Sequence, residues 1–193
     1  MRRFLIVGHR ASTSPSFPLD DLAGAAGRMD ILLSAANASL LLAHDLRRDV
    51  EAGLLLLGPP DPPRFIRLQG FRLKSYQPDL RSNAALVRNA LAQSSRVEHE
   101  VSPGILASKA GFEEALDRLG PSFVYLLEGG KDMRNVLLPA DATFVLSDNQ
   151  DLLPEEEAAV LARGALVVSV GPKALHSDQA ITVLQNELDR RNV

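Results

Sequence analysis

The chain has 193 residues, 46% of them hydrophobic and 23% charged, with a formal net charge of −3. This length suits a single domain, and the composition is typical of a soluble globular protein rather than a basic nucleic-acid-binding one. We expect neither a signal peptide nor a membrane span, because the N-terminus opens on a strand-like segment and every apolar run is short. The absence of cysteine excludes disulfides and thiolate metal sites and fits a cytoplasmic protein.

Strand-like and helix-like segments follow one another along the chain. Nearly every residue of 50–57 is apolar, which predicts a central strand buried on both faces. The other predicted strands cover 4–7, 65–68, 71–73, 123–127, 143–146 and 166–170. Helices are predicted at 27–42, 77–94, 108–120 and 154–163, and a last one is capped by Ser177 or Asp178. Loops are predicted at 8–20, 58–63 and 95–104.

From residue 123 onward strands and helices alternate, which favours an α/β fold with a mainly parallel sheet flanked by helices. Three loops, at 128–130, 147–150 and 171–175, follow the last three predicted strands. Because parallel strands end at the same side of a sheet, these loops are expected to form a ligand site. None has the glycine spacing that binds a pyrophosphate, so the pattern favours a smaller nucleoside held by main-chain groups.

Seven basic residues and one acid, Asp79, lie within residues 62–97. A basic stripe of this kind can bind a phosphate backbone even on an acidic protein, and the alternative is a solvated face. No common catalytic motif is present. The four histidines, His9, His44, His99 and His176, lack metal-ligand spacing, so we predict no metal site and interpret each as structural or exposed.

Several motifs stand in a fixed order along the chain. They read GRMD from Gly27, HDLRRD from His44, QPD from Gln77, SPGI from Ser102 with GF from Gly111, and GPKALH from Gly171 with AITV from Ala180. In these motifs the chain resembles the archaeal tRNA pseudouridine-54 N1-methyltransferases and their bacterial relatives, which belong to the SPOUT class of knotted methyltransferases. The resemblance covers nearly the whole chain, and HDxRRD with the matching C-terminal loop is its most specific part.

The resemblance implies one SPOUT-like domain over residues 1–193, with a trefoil knot and the cofactor site at about 123–193. It implies S-adenosylmethionine (SAM) as the cofactor and a homodimer with the active site near the subunit interface. The implied cofactor contacts are Leu126, Ser147, Val170, Gly171, Pro172, Lys173, Ala174, Leu175 and Ala180. Ser147 stands where the family pattern has glycine and Ala180 where it has cysteine, and main-chain contacts to adenine tolerate both.

The implied reaction is N1-methylation of pseudouridine in tRNA. Pseudouridine is joined to its ribose through carbon, so its N1–H is free, and a carboxylate could accept that proton. We predict Asp79 in this role, and the alternative is that it only caps a helix. Arg47 and Arg48, with Arg10 and Arg28, are predicted to contact the RNA, and the alternative for the first two is a structural ion-pair cluster.

Two other functions stay open at this point. The same fold and cofactor could serve a different RNA base or a 2′-hydroxyl group. The chain could instead be a non-catalytic RNA-binding module that has kept the knot.

Overall fold

The computed structural model describes residues 1–191, which form one eight-stranded sheet covered by five helices. The strands are β1 (Arg2–Gly8), β2 (Val50–Leu56), β3 (Arg64–Gln69), β4 (His99–Ser102), β5 (Ile105–Ser108), β6 (Phe123–Asp132), β7 (Ala142–Ser147) and β8 (Leu166–Ser169). The helices are α1 (Met29–Leu40), α2 (Leu80–Gln93), α3 (Phe112–Leu119), α4 (Pro154–Ala162) and α5 (Ser177–Arg191). Across residues 1–191, each helix is too short or too polar to cross a membrane.

The sheet has the strand order β4-β5-β3-β2-β1-β7-β6-β8. The strands β2, β1, β7, β6 and β8 run parallel to one another, and β3, β5 and β4 extend the sheet in antiparallel fashion. The chain is therefore a mixed α/β protein, and its antiparallel part lies outside the predicted alternation. We call the side where the five parallel strands end the carboxyl side, and the opposite one the amino side.

Both faces of the sheet are covered, as the apolar sequence of the central strands requires. Along β1, Phe4 and Ile6 join an apolar cluster with α1, α2 and α5, whereas Leu5 and Val7 join a second cluster with α3 and α4. Successive strand residues point to opposite faces, so each face has its own apolar set. This packing places helices on both sides of the sheet and leaves the strand ends for binding.

Several predicted boundaries were wrong in the antiparallel part. The predicted loop 95–104 contains β4, and Ser108 is the last residue of β5 rather than a helix cap. Residues 71–73 form a turn instead of a strand. A side chain at Gly70 would begin 2.1 Å from the carbonyl oxygen of Arg47, so the chain passes too close to its neighbour there for any residue but glycine.

The strand β6 is longer than predicted and has an irregular middle. Both Leu126 and Lys131 pair with Val168 of β8, so the four residues between them bulge out of the ladder. A Cβ atom at Gly130 would lie 2.6 Å from the carbonyl carbon of Val168. The predicted glycine loop is therefore a bulge inside β6 that depends on close backbone approach.

Candidate functional site

A cleft of about 450 Å³ opens at the carboxyl side, where β7 and β8 end beside the bulge of β6 and the first turn of α5. This volume is within the range of ligand pockets, roughly 300–1,000 Å³. Apolar side chains that line it include Leu126, Leu146, Val170, Leu175 and Ala180. An adenosine-sized ligand could pack its base against this apolar lining and use the main chain of the strand ends for hydrogen bonds.

The polar lining of the cleft is acidic. It includes Glu128, Asp148 and Asp151, and one lysine, Lys173. Burial, followed by the charges of nearby acids including Asp151, raises the pKa of Tyr125 in the cleft wall to about 12. The tyrosine therefore stays a neutral hydroxyl at physiological pH. Because the charged side chains of the lining are mostly acidic, the cleft suits a ligand that carries positive charge.

The start of α5 is fixed to the end of β7. The hydroxyl of Ser177 donates to the carbonyl oxygen of Ser147 at 2.6 Å and to that of Asp148 at 3.3 Å. Ser177 is the first residue of α5, and the main-chain N–H of Ala180 donates to the carbonyl oxygen of His176. The hydroxyl predicted to cap α5 thus bonds to the β7 end, which holds two walls of the cleft together.

His9 reaches the same region from the end of β1. Its Nε2 atom lies 2.8 Å from Oε2 of Glu156, and its Nδ1 atom lies 3.7 Å from Oδ1 of Asp148. Its main-chain N–H donates to Oδ2 of Asp148 at 3.1 Å. The exposed fractions of the three side chains are 10% for His9, 0% for Asp148 and 6% for Glu156. Two buried carboxylates therefore share one imidazole.

These carboxylates determine the protonation of His9. Asp148 and then Glu156 raise the pKa of His9 from 6.5 to about 9, against the opposing effect of burial. His9 is therefore an imidazolium at neutral pH, and its charge compensates a buried acidic pair. The sequence interpretation of His9 as merely structural or exposed missed this cluster, although its position directly after a strand was a usable signal.

Seven of the nine predicted cofactor residues line the cleft: Leu126, Ser147, Val170, Lys173, Ala174, Leu175 and Ala180. Gly171 and Pro172 do not contribute to the lining formed by residues 125–180. Instead, the Gly171 main chain folds back, since its carbonyl oxygen accepts the Ser169 hydroxyl at 2.6 Å. The structure thus brings most of the predicted set together, and the role of these residues in cofactor binding stays a prediction.

Asp79 lies away from the cleft. It is the exposed N-cap of α2, and its carboxylate accepts the main-chain N–H of Ser82 at 3.4 Å. The preceding residue, Pro78, accepts a hydrogen bond at 2.9 Å from Asn37 in the last turn of α1. That turn is on the amino side, because Leu40 at its end accepts the main-chain N–H of Arg47, which lies just before the start of β2.

Arg47 and Arg48 are engaged by the protein itself on the amino side. Arg47, with a side chain 14% exposed, donates to both carboxylate oxygens of Asp189 at 2.9 and 2.7 Å. Arg48 pairs with Asp45 and donates to two main-chain carbonyl groups, those of Gly70 and Leu73. These contacts favour the ion-pair alternative, and an RNA role for the two arginines stays a prediction.

Much of the basic stripe is neutralised by acids from other parts of the chain. Arg67 pairs with Glu51 and Glu98, and Arg72 pairs with Glu100 at 2.7 Å. The side chains of Lys74, Arg81 and Arg96 are exposed. The stripe seen in sequence is therefore not a continuous free basic surface in the fold.

Arg10 and Arg28 lie together on the carboxyl side. The chain just after Arg10 passes close to the loop that precedes α1, because the main-chain N–H of Ser12 donates to the carbonyl oxygen of Ala26 at 3.1 Å. Arg10 is exposed. Arg28 pairs with Asp30 at 3.0 Å and has a left-handed backbone, with φ of 67°. Such strain in a residue other than glycine is common at functional sites.

The chain matches known proteins over its full length. A family model described as “Putative SAM-dependent RNA methyltransferase” matches residues 1–193. A tRNA (pseudouridine(54)-N(1))-methyltransferase of Methanocella arvoryzae is 50% identical over 193 residues, covering 99% of this chain and 100% of the relative. A protein of the same name from Methanosarcina mazei is 42% identical over 193 residues, covering 98% of this chain and 92% of the relative.

A solved structure has the same fold. Nep1 of Archaeoglobus fulgidus, crystallised bound to S-adenosylhomocysteine, superposes with a TM-score of 0.69 at 15% sequence identity. The match covers 99% of this chain and 98% of that one. At this identity the likeness concerns the fold, and it extends over the antiparallel strands as well as the parallel ones.

Proposed function

The chain belongs to the SAM-dependent RNA methyltransferase family, and we propose that it methylates N1 of pseudouridine in tRNA. The observation that carries this proposal is the full-length match at 50% identity to a tRNA (pseudouridine(54)-N(1))-methyltransferase. The acidic, partly apolar cleft at the carboxyl side supports it, because it has the size and charge for a cationic nucleoside.

The residues of the cleft fit SAM chemically. SAM supplies an electrophilic methyl group on a positively charged sulfonium. The apolar lining formed by Leu126, Val170 and Leu175 would pack against its adenine, and the main chain around Ser147 would offer hydrogen bonds. The carboxylates of Glu128 and Asp151 would attract its positive charge.

On the acceptor side the chain must orient the pseudouridine ring and take up the N1 proton. We assign this task to Asp79, whose exposed carboxylate is free to approach a bound base. A fixed carboxylate at hydrogen-bond distance from N1–H would raise the nucleophilicity of N1 as the N1–methyl bond forms. Its cap hydrogen bond to Ser82, at 3.4 Å, is long enough to leave the carboxylate available.

Within one chain, Asp79 lies on the amino side of the sheet and the cleft lies on the carboxyl side. We therefore infer that the working enzyme is a homodimer, in which Asp79 of one subunit serves the cleft of the other. This arrangement agrees with the exposure of Leu137, Leu161, Leu166 and Leu175 around β6, α4, β8 and the cleft. Most soluble homo-oligomers are symmetric dimers, so both copies would present the same surface to each other.

For the RNA, we propose that Arg10 and Arg28 contact phosphates next to the cleft. Both stand on the loop between β1 and α1, beside His9. Arginine binds phosphate through its planar set of donors, and contacts of this kind position the nucleic acid without reading its sequence. Arg47 and Arg48 would then act indirectly, by fixing the loop before β2.

We further propose that residues 1–193 form one domain whose C-terminal segment threads a trefoil knot. In support, Ser177 donates to the end of β7, and Arg191 at the other end of α5 donates to the carbonyl groups of Met133 and Val136. The segment between β6 and β7 therefore holds one end of α5 and the end of β7 holds the other. A tRNA substrate would place the enzyme in the cytoplasm.

Methyl transfer to matched RNAs tests the function. The purified chain is incubated with SAM and two transcripts of one tRNA, which carry either uridine or pseudouridine at position 54. Mass spectrometry of the nucleosides should find N1-methylpseudouridine from the second transcript alone. Methylation of both transcripts, or of a ribose hydroxyl, would move the activity to another acceptor. SAM binding without any transfer would favour a non-catalytic module.

A further inference from the structure

Three separate elements meet at the imidazole of His9. The ring follows β1, Asp148 follows β7, and Glu156 stands in the first turn of α4. No family motif quoted above includes any of these three residues. The cluster lies directly behind the cleft, because Asp148 also lines it.

The two carboxylates fix both ends of the loop that joins β7 to α4, residues 148–153. At its start, Asp148 accepts the main-chain N–H of Gln150 at 3.0 Å. At its end, Glu156 accepts the main-chain N–H of Leu153 at 2.9 Å. The imidazole of His9 links the two ends of the loop through its hydrogen bond to Glu156 and its ion-pair contact with Asp148. Residues 148–151 of this loop form one wall of the cleft.

We propose that His9 is a positioning residue for the methyl donor, which holds the loop 148–153 in the shape that binds SAM. This inference rests on the proposed function, since it takes SAM as the ligand of the cleft. His9 itself lies behind the wall and need not touch the ligand.

The physical reason is charge balance. Asp148, just after β7, and Glu156, in α4, are the charged groups that face the ring. Arg28, just before α1, also interacts electrostatically with Asp148. With a neutral residue at position 9, two buried carboxylates would repel each other without a shared cation. Removal of one partner from a buried ionic cluster is costly because the remaining charges stay desolvated. The loop would relieve this repulsion by moving, and the cleft wall would move with it.

Calorimetric titration of the full chain with SAM tests this role. At pH 7.5 we expect His9→Gln to raise the Kd for SAM about tenfold, a fraction of what breaking a buried ionic cluster can cost. His99→Gln is the matched control, because His99 belongs to β4 at the far end of the sheet. With saturating SAM, the kcat of His9→Gln should stay within about threefold of the original value, since the residue does not meet the reacting atoms.

A second substitution separates charge balance from general damage to the fold. In the double variant His9→Gln with Glu156→Gln, the cluster regains its original net charge. Glutamine at position 156 can still accept the N–H of Leu153, as in a capping box. We expect SAM affinity to return to within about threefold of that of the unmodified chain. A purely structural role for the imidazole ring would not be rescued by the removal of a negative charge elsewhere.

The pH profile supplies an independent readout that does not depend on the stability of the single variant His9→Gln. In the unmodified chain, SAM affinity should fall as pH rises through about 9, where His9 loses its proton. The double variant should lack this fall, and the ratio of the two profiles cancels the titration of SAM itself. Equal Kd values for His9→Gln and the unmodified chain, or parallel profiles, would overturn the inference alone. A lack of SAM binding by the unmodified chain would overturn the proposed function with it.

Discussion

On the carboxyl side of the sheet, the acidic cleft, the His9 cluster and the exposed Arg10 stand close together. On the amino side, Asp79 caps α2 while Arg47 and Arg48 are held by other residues of the chain. The first group forms a concave site behind which charges are balanced. The second group consists of one exposed, helix-capping carboxylate and a set of ion pairs.

Under the proposed function, this difference divides the two halves of the reaction between the two sides. If the cleft binds the methyl donor as proposed, one subunit supplies that site by itself, because the strand ends, the loop after β7 and α5 all come from the same chain. If Asp79 is the proton acceptor as proposed, the acceptor side would be completed only when a second subunit brings its Asp79 to the cleft. The comparison of the two sides therefore predicts separate defects for substitutions on each.

The largest expected effect is that of Asp79→Asn on catalysis. Loss of a positioned proton acceptor should lower kcat about 100-fold or more. SAM affinity and thermal stability should stay unchanged, since asparagine caps a helix as well as aspartate does. Transfer assays on the pseudouridine-containing tRNA, with calorimetry for SAM, measure both. Unchanged turnover would reduce Asp79 to a helix cap.

Mixed subunits show whether Asp79 acts on the partner's cleft. Asp79→Asn is combined with Ala180→Phe, a variant whose cleft is blocked, in equal amounts with exchange of subunits. If the site is shared, random pairing of subunits should restore roughly a quarter of the original activity. If each subunit uses its own Asp79, the mixture should be no more active than its components. That result would return the acceptor half to the chain that holds the donor.

The next effect concerns stability on the carboxyl side. The pKa of His9 is raised from 6.5 to about 9 in the folded chain, so the folded state holds this proton more tightly than the unfolded state. The resulting stabilisation is complete below pH 6.5 and is lost as pH rises through about 9. We expect the free energy of unfolding to fall by roughly 3 kcal/mol across this interval.

Urea unfolding at pH 6.0, 7.5 and 9.5 measures this loss. His9→Gln should show a flatter profile over the same interval, because glutamine has no proton to lose. His99→Gln should follow the unmodified chain. A profile for His9→Gln that parallels the unmodified chain would mean that other groups are responsible for the pH dependence.

A smaller effect is expected on the amino side. Arg47→Gln removes two hydrogen bonds to Asp189 and should lower the free energy of unfolding by about 1–2 kcal/mol, because Asp189 is partly exposed. Arg47, followed by Arg2, lowers the pKa of Asp189, so the contribution is present at neutral pH and lost as pH falls through that pKa. Urea unfolding at pH 7 and pH 3 tests both statements.

The affinity for tRNA decides between the two interpretations of Arg47. If Arg47 serves only the fold, Arg47→Gln should leave tRNA binding unchanged at a temperature where the variant is folded. Weaker binding with unchanged stability would restore the RNA contact that the HDLRRD motif suggested.

The parallel half of the fold could be predicted from the sequence because its signals are local. Apolar runs such as 50–57 depend on neighbouring residues only. The same holds for helical periodicity, as in α5, where Ile181, Leu184 and Leu188 recur at spacings of three and four and are buried. The strands β4 and β5 escaped prediction because they are four residues each and β4 reads His-Glu-Val-Ser. Their pairing with β3 supplies what their sequence lacks.

The cleft was predictable for a similar reason, since strand ends of parallel strands meet on one side. The charge clusters were not. His9 meets Glu156 across 147 positions of sequence, and Arg47 meets Asp189 across 142. Charged residues at such separations carry no periodicity that identifies the partner. The same composition fitted both a basic RNA-binding stripe and a set of ion pairs, and only the fold distinguishes them.

The smallest expected effect concerns the RNA surface, where the loop between β1 and α1 can be compared with the basic stripe. Arg10→Glu should weaken tRNA binding and lower the slope of log affinity against log salt by about one, the value for one phosphate contact. Arg28→Glu should have a weaker effect, because Asp30 already holds part of that charge. Arg96→Glu, at an exposed position of the basic stripe, is the control and should leave the slope unchanged. A larger slope change for Arg96 than for Arg10 would transfer RNA binding from the loop between β1 and α1 to the stripe.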